Sequence, residues 1–154
     1  MNKFLLVAGI SLAAMTTSAF AASGDMQFNG DILDGCSITI DAAGTLAANA
    51  ALSELSSTEA GGSSGRATIL ATAGGLSVST AAPAAFSAAP GGAAATFASF
   101  YTADGVTTAG RSPGATLTAL NAGTTTLEVD LVATSTGGAF PAGAYAADVT
   151  VTCE

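Results

Sequence analysis

The sequence predicts an all-β protein: a sandwich of about seven or eight short strands behind an N-terminal signal peptide. Several stretches alternate apolar and polar residues with a period of two, the spacing at which one face of a strand is buried. Clusters of Gly, Pro, Asn and Asp separate these stretches at short intervals, as turns between strands require. The only two cysteines, Cys36 and Cys153, stand near the two ends of the exported chain, inside the first and last alternating stretches.

Residues 1–21 have the form of a secretory signal. Lys3 supplies the positive start, residues 4–14 are apolar, and Ala19-Phe20-Ala21 matches a small-x-small cleavage site. The apolar run is shorter than the roughly 20 residues a membrane span needs. The mature chain is therefore expected to begin at Ala22, to be exported, and to enter no membrane after cleavage.

Residues 26–33 and 36–40 read as one strand interrupted at Asp34-Gly35, a turn or bulge signal. Met26, Phe28, Gly30, Ile32, Cys36, Ile38 and Ile40 share one parity, with mostly polar residues between them. Residues 41–44 read as a turn, 45–55 as a strand then a loop, and 56–65 as a Ser/Gly loop. Residues 66–73 and 76–80 flank Gly74-Gly75 and predict a hairpin. Residues 81–92, with Pro83 and Pro90, predict a connection holding at most a short edge strand near Phe86. Residues 93–102 carry aromatics on both parities, as a central strand does, and 103–114 read as a loop. Short strands over 115–120, 124–134 and 144–153 complete the chain, with most aromatics expected between the sheets. The domain plan is thus a signal peptide (1–21), an N-terminal arm (22–35) and a β-sandwich domain (36–154).

Charge narrows the function. Without Lys3, Arg66 and Arg111 are the only cations against eleven carboxylates, a net charge of −9. Nucleic-acid binding draws on Lys and Arg, so no nucleic-acid partner is expected, and attraction to an anionic membrane surface is weak for the same reason. Two cysteines in an exported chain read as a disulfide, Cys36 to Cys153, closing a loop of 117 residues. In the chain-entropy account such a loop is worth about 4–5 kcal/mol.

No catalytic set is evident. Histidine, the commonest general base, is absent. Serines are plentiful, but without histidine, and with no lysine remaining after cleavage, the chain offers no base to activate one. Two cysteines without histidine make a poor zinc set, and Asp31 with Asp34 lacks the spacing of a calcium loop. Glu128 and Asp130 share a strand face about 7 Å apart, a separation within the range of glycosidase carboxyl pairs. With no tryptophan for a sugar platform, the pair reads as a solvated strand face. The expectation is a non-enzymatic protein with no catalytic residue, no metal and no cofactor.

Two parts of the chain carry a resemblance. Phe28-Asn29-Gly30-Asp31-Ile32-Leu33 followed by Cys36-Ser37-Ile38 resembles the N-terminal region of chaperone–usher pilins: an aromatic, x, Gly, an acidic residue and aliphatics ahead of a strand-opening Cys. Leu120-Asn121-Ala122-Gly123-Thr124-Thr125-Thr126-Leu127 precedes a strand, and Pro141-Ala142-Gly143-Ala144-Tyr145 leads into Asp148-Val149-Thr150-Val151-Thr152. This ending is similar to the spore coat protein U and archaic pilin group. The resemblance covers about a third of the chain.

It implies an immunoglobulin-like Greek-key sandwich lacking its last strand. Met26, Phe28, Gly30 and Ile32 would then be the donor residues that fill a neighbour's groove by β-strand addition. The implied partners are copies of the chain or related pilin subunits, with a periplasmic chaperone and an usher in transit. The implied location is a cell-surface fibre reached through the periplasm.

The second cysteine departs from the usual pilin pattern, because it lies at the C-terminus. Walls on either side of a donor strand stand two strand spacings apart, about 9.5 Å, whereas a disulfide spans Cα separations up to about 7 Å. Either the bridge lies beyond the groove's end, or the first and last strands pair directly. The second case is a self-complete, disulfide-stapled secreted sandwich, a surface or coat protein that does not polymerise.

Overall fold

The computed structural model describes residues 26–91 and 93–154; the expected signal peptide, residues 1–21, lies outside them. The chain divides into two units, Met1–Asp31 and Ile32–Glu154. Of the first, the described residues 26–31 form no strand.

The second unit is built from ten strands in two antiparallel sheets, with no helix among the described residues. In chain order they are β1 (Cys36–Ala42), β2 (Ala47–Ala48), β3 (Glu54–Ser56), β4 (Gly65–Ala71), β5 (Ser77–Ala81), β6 (Ala95–Gly105), β7 (Ala109–Pro113), β8 (Thr118–Ala119), β9 (Gly123–Ser135) and β10 (Thr150–Cys153). β9 is the axis of the large sheet. One edge pairs with β6 along most of its length, and β6 in turn carries β7. The first half of its other edge pairs with β4, then β1; the second half pairs with β3, then β2. The small sheet is β10-β5-β8.

Alternation decides which side chains go inside. On β9, Thr125, Leu127, Leu131 and Ala133 are buried, while Thr126, Glu128, Val132 and Thr134 face outward. Ile69 and Ala71 from β4, Tyr101 and Ala103 from β6, and Leu127 meet Val78 and Leu120 in the main core. A second cluster at the other end joins Leu55, Ala133 and Phe140 to Phe86, Phe97 and Tyr145. Its rings meet edge to face, with centroids 4.8–5.9 Å apart, the arrangement aromatic quadrupoles favour.

One seam between the sheets is closed. Gly114 crosses it, donating its N–H to Ser99 O of β6 and accepting from Thr80 N of β5, both at 2.8 Å. A side chain at Gly114 would put its Cβ 2.7 Å from the Thr80 carbonyl oxygen, so only glycine lets the strands approach. Beside it the Tyr101 hydroxyl sits 2.7 Å from Thr116 O and 2.6 Å from Thr118 Oγ1, which ties β6 to the segment entering β8.

Four expectations need correction. The hairpin over 66–80 does not form, because both edges of β4 are taken by β1 and β9. The chain instead crosses between sheets through Gly75, whose φ of +97° suits glycine, and β5 joins the small sheet. Residues 103–114 are not a loop: β6 runs on to Gly105 and β7 returns against it, so the Asp104-Gly105 turn signal marks a hairpin end. Residues 26–33 form no strand, since alternation without a neighbouring edge leaves a backbone unpaired. The last strand occupies only Thr150–Cys153. Upstream of it, Ala146 makes a single bridge to Ala88.

Candidate assembly groove

The seam opposite Gly114 is bounded by the two terminal strands. β1 pairs only with β4, and β10 pairs only with β5. Each is therefore an edge strand with unpaired backbone groups on its free side. They run in opposite directions and meet at one end, where Cys36 and Cys153 form a disulfide with a Cα–Cα distance of 6.3 Å. The bridge thus lies at the end of the seam, and the two strands do not pair with each other. Of the expected site residues, these two are brought together as predicted. Formation of such a bridge belongs to an oxidising, exported compartment.

Away from the bridge the seam opens. Cys36, Ile38 and Ile40 stand opposite Ala71, Ile69 and Ala67, all of them buried, so these β1 residues face the interior. Yet exposure climbs along the strand, from a half-buried Cys36 through Ile38 at 36% to Ile40 at 65%. An isoleucine on the inner face of a sandwich strand is left uncovered because no strand lies between β1 and the C-terminal segment.

A groove of about 290 Å³ fills that gap. Ile40 and Ala42 form one wall and Ala147, Asp148, Val149 and Val151 the other, with Ala67, Val129 and Leu131 as the floor. It continues past Leu46 and Ala147 into a wider cavity of about 600 Å³ lined by Leu52, Leu55, Phe140 and Tyr145. Leu52 is held there at a φ of +53°, unusual for a leucine. Its N–H donates to Asn49 O, and its carbonyl accepts from Phe140 N.

The chain leaves this domain at the bridged end. Residues 33–35 continue the line of β1 past Ala71: Gly35 O accepts from Thr72 N at 2.9 Å, and Leu33 O accepts from Thr72 Oγ1 at 2.8 Å. Ile32 and Leu33 are almost fully exposed there. Of the remaining candidate donor residues, Met26 and Phe28 are exposed and Gly30 has open space around it.

The carboxylates behave differently from one another. Glu128 is exposed and pairs with Arg66 at 2.6 Å. Asp130 is not on a solvated face: its side chain is 14% exposed. It accepts from Ser57 Oγ and Ser64 Oγ at 2.8 and 2.7 Å, with Arg111 Nε 3.6 Å away. Arg111 in turn lies over the Phe100 ring, 3.7 Å from its centre, so it covers both the ring and the carboxylate. This cluster fastens the loop after β3 and the start of β4 to β9. Asp31 and Asp34 gather no third ligand group among the described residues.

Sequence reasoning missed the distal half of the groove. Leu46, Leu52 and Phe140 come from segments without sustained alternation, and Tyr145, expected in the last strand because 144–153 alternates, lies in a stretch that forms no strand. Comparison of the chain with protein-family models, with curated proteins and with solved structures finds no match.

Proposed function

We propose that the protein is a non-enzymatic, pilin-like structural subunit of a bacterial surface fibre, in which the arm of one copy fills the groove of the next. The observation that carries this is Ile40, which faces the interior and is nevertheless 65% exposed beside an unpaired terminal edge. An inserted strand would meet free backbone groups on both sides and an apolar floor below, which is β-strand addition. In this account the domain is an immunoglobulin-like sandwich short of one strand, and a periplasmic chaperone covers the groove before assembly.

The arm suits the slot in pattern and length. Met26, Phe28, Gly30 and Ile32 share one parity. Met26 to Ile32 covers about 20 Å when extended, the same six residue steps as Ile40 to Leu46 along the wall. Residues 33–35 continue the line of β1 past the bridged end of the domain, an exit that suits delivery of the arm to a neighbour. The contact is head to tail, and repeated it grows a filament. The carboxylates support a non-enzymatic role, because Glu128 and Asp130 are both engaged in structural contacts.

The test is refolding of chain 22–154, disulfide intact, with and without excess peptide 22–33. The expected outcome is filaments by electron microscopy without peptide, and peptide-capped monomers with it. A chain that stays monomeric at high concentration and ignores the peptide would instead be the self-complete surface protein.

A further inference from the structure

We propose that the Cys36–Cys153 bridge is an end stop that fixes the register of the strand entering the groove. This rests on the assembly reading above and assigns the disulfide a task beyond stabilising the fold.

A guest strand needs walls about 9.5 Å apart, and at the bridge the Cα atoms are 6.3 Å apart. No strand passes that point. The taper is visible in the walls: Ile40 and Ala42 line the groove, whereas Cys36, Ile38 and Cys153 do not. The slot runs on past Leu46 into the wider cavity and is shut at the other end.

Such a stop answers a need that alternation leaves unmet. A slip of one residue would turn Gln27, Asn29 and Asp31 onto the apolar floor of Ala67, Val129 and Leu131, which rejects it. A slip of two residues keeps Met26, Phe28, Gly30 and Ile32 on the same parity and exchanges only their positions. The side-chain pattern discriminates poorly between such registers; a closed end does so by steric exclusion.

Polarity follows from repetition of one contact. The arm leaves its own domain at the bridged end and enters the next copy from the Leu46 end. Ile32 then lies near the mouth, and the N-terminal side of the arm points at the bridge. On the inward parity the residues before Met26 are Gly24 and Ala22, both small. The arm thins where the slot thins.

The experiment refolds bridged chain 22–154 with labelled peptide 22–33, unaltered or carrying Gly24→Leu, or lengthened by one leucine after Leu33. Added apolar surface ordinarily tightens binding. The stop predicts that Gly24→Leu weakens it by about tenfold or more through overpacking, while the leucine beyond Leu33 leaves it within about twofold. In the Cys36→Ser/Cys153→Ser chain the Gly24→Leu penalty should vanish. The proposal is overturned if Gly24→Leu binds the bridged chain as well as the unaltered peptide, or if the penalty persists without the bridge. Should the serine variant not fold, the comparison of the two peptide ends in the bridged chain decides alone. Failure of the unaltered peptide to bind at all would refute assembly itself, a distinct outcome.

Discussion

Phe28→Ser separates an arm that works in another copy from one that supports its own domain. Phe28 is 86% exposed, so little of its surface is covered in the free chain. Its loss should change the unfolding free energy by less than about 0.5 kcal/mol. Buried in a neighbour's groove, a phenylalanine side chain contributes about 1.5–3 kcal/mol, or about 10- to 100-fold in association. Ile40→Ser is the reciprocal change. At 65% exposure it should cost the free domain about 0.5–1 kcal/mol while weakening assembly comparably. Each variant alone should stay largely monomeric in sedimentation velocity where the unaltered chain polymerises. Mixed, the sound arm of the Ile40→Ser chain meets the sound groove of the Phe28→Ser chain, giving dimers without further growth. Polymerisation by either variant, absence of mixed dimers, or a lowered urea midpoint for monomeric Phe28→Ser would refute the reasoning.

Three further outcomes test the fold that shapes the groove. Tyr101→Phe removes a fully buried hydroxyl that serves Thr116 O and Thr118 Oγ1, and should lower stability by about 1–3 kcal/mol in urea titration. Gly114→Ala should cost at least about 2 kcal/mol, because its Cβ meets the Thr80 backbone as well as two hydroxyls; an unchanged thermal midpoint would mean that seam is not tightly closed. Glu128→Ala removes an exposed ion pair and should change stability by about 0–1 kcal/mol, whereas Asp130→Ala strands two serine hydroxyls and should cost about 1–3 kcal/mol. Equal effects of the two, by chemical denaturation, would contradict the difference in their surroundings.

The Glu128 and Asp130 pair shows where sequence pattern stops being informative. Both lie on the outward parity of β9, and alternation treats them alike. Their difference comes from Ser57, Ser64 and Arg111, which lie far away in the chain and arrive only when the sheet is assembled. The 66–80 hairpin failed for a related reason: local turn chemistry is blind to whether β4 has a free edge. The groove was half legible. Its lower wall follows from the alternation through Cys36 and Ile40, but the cavity around Leu52 and Phe140 is built from irregular segments brought together by the second core.

The sequence alone determined that the domain is all-β, because period-two burial and turn residues are local properties. It also indicated a disulfide joining the two ends, because two cysteines in an exported chain have few other uses. Tertiary structure decided where that bridge sits. It showed that the terminal strands converge on the bridge and diverge beyond it, leaving Ile40 uncovered on an inner face. Alternation marks which side chains face inward; whether a neighbouring strand is there to cover them depends on distant segments that only the folded sheets bring into place.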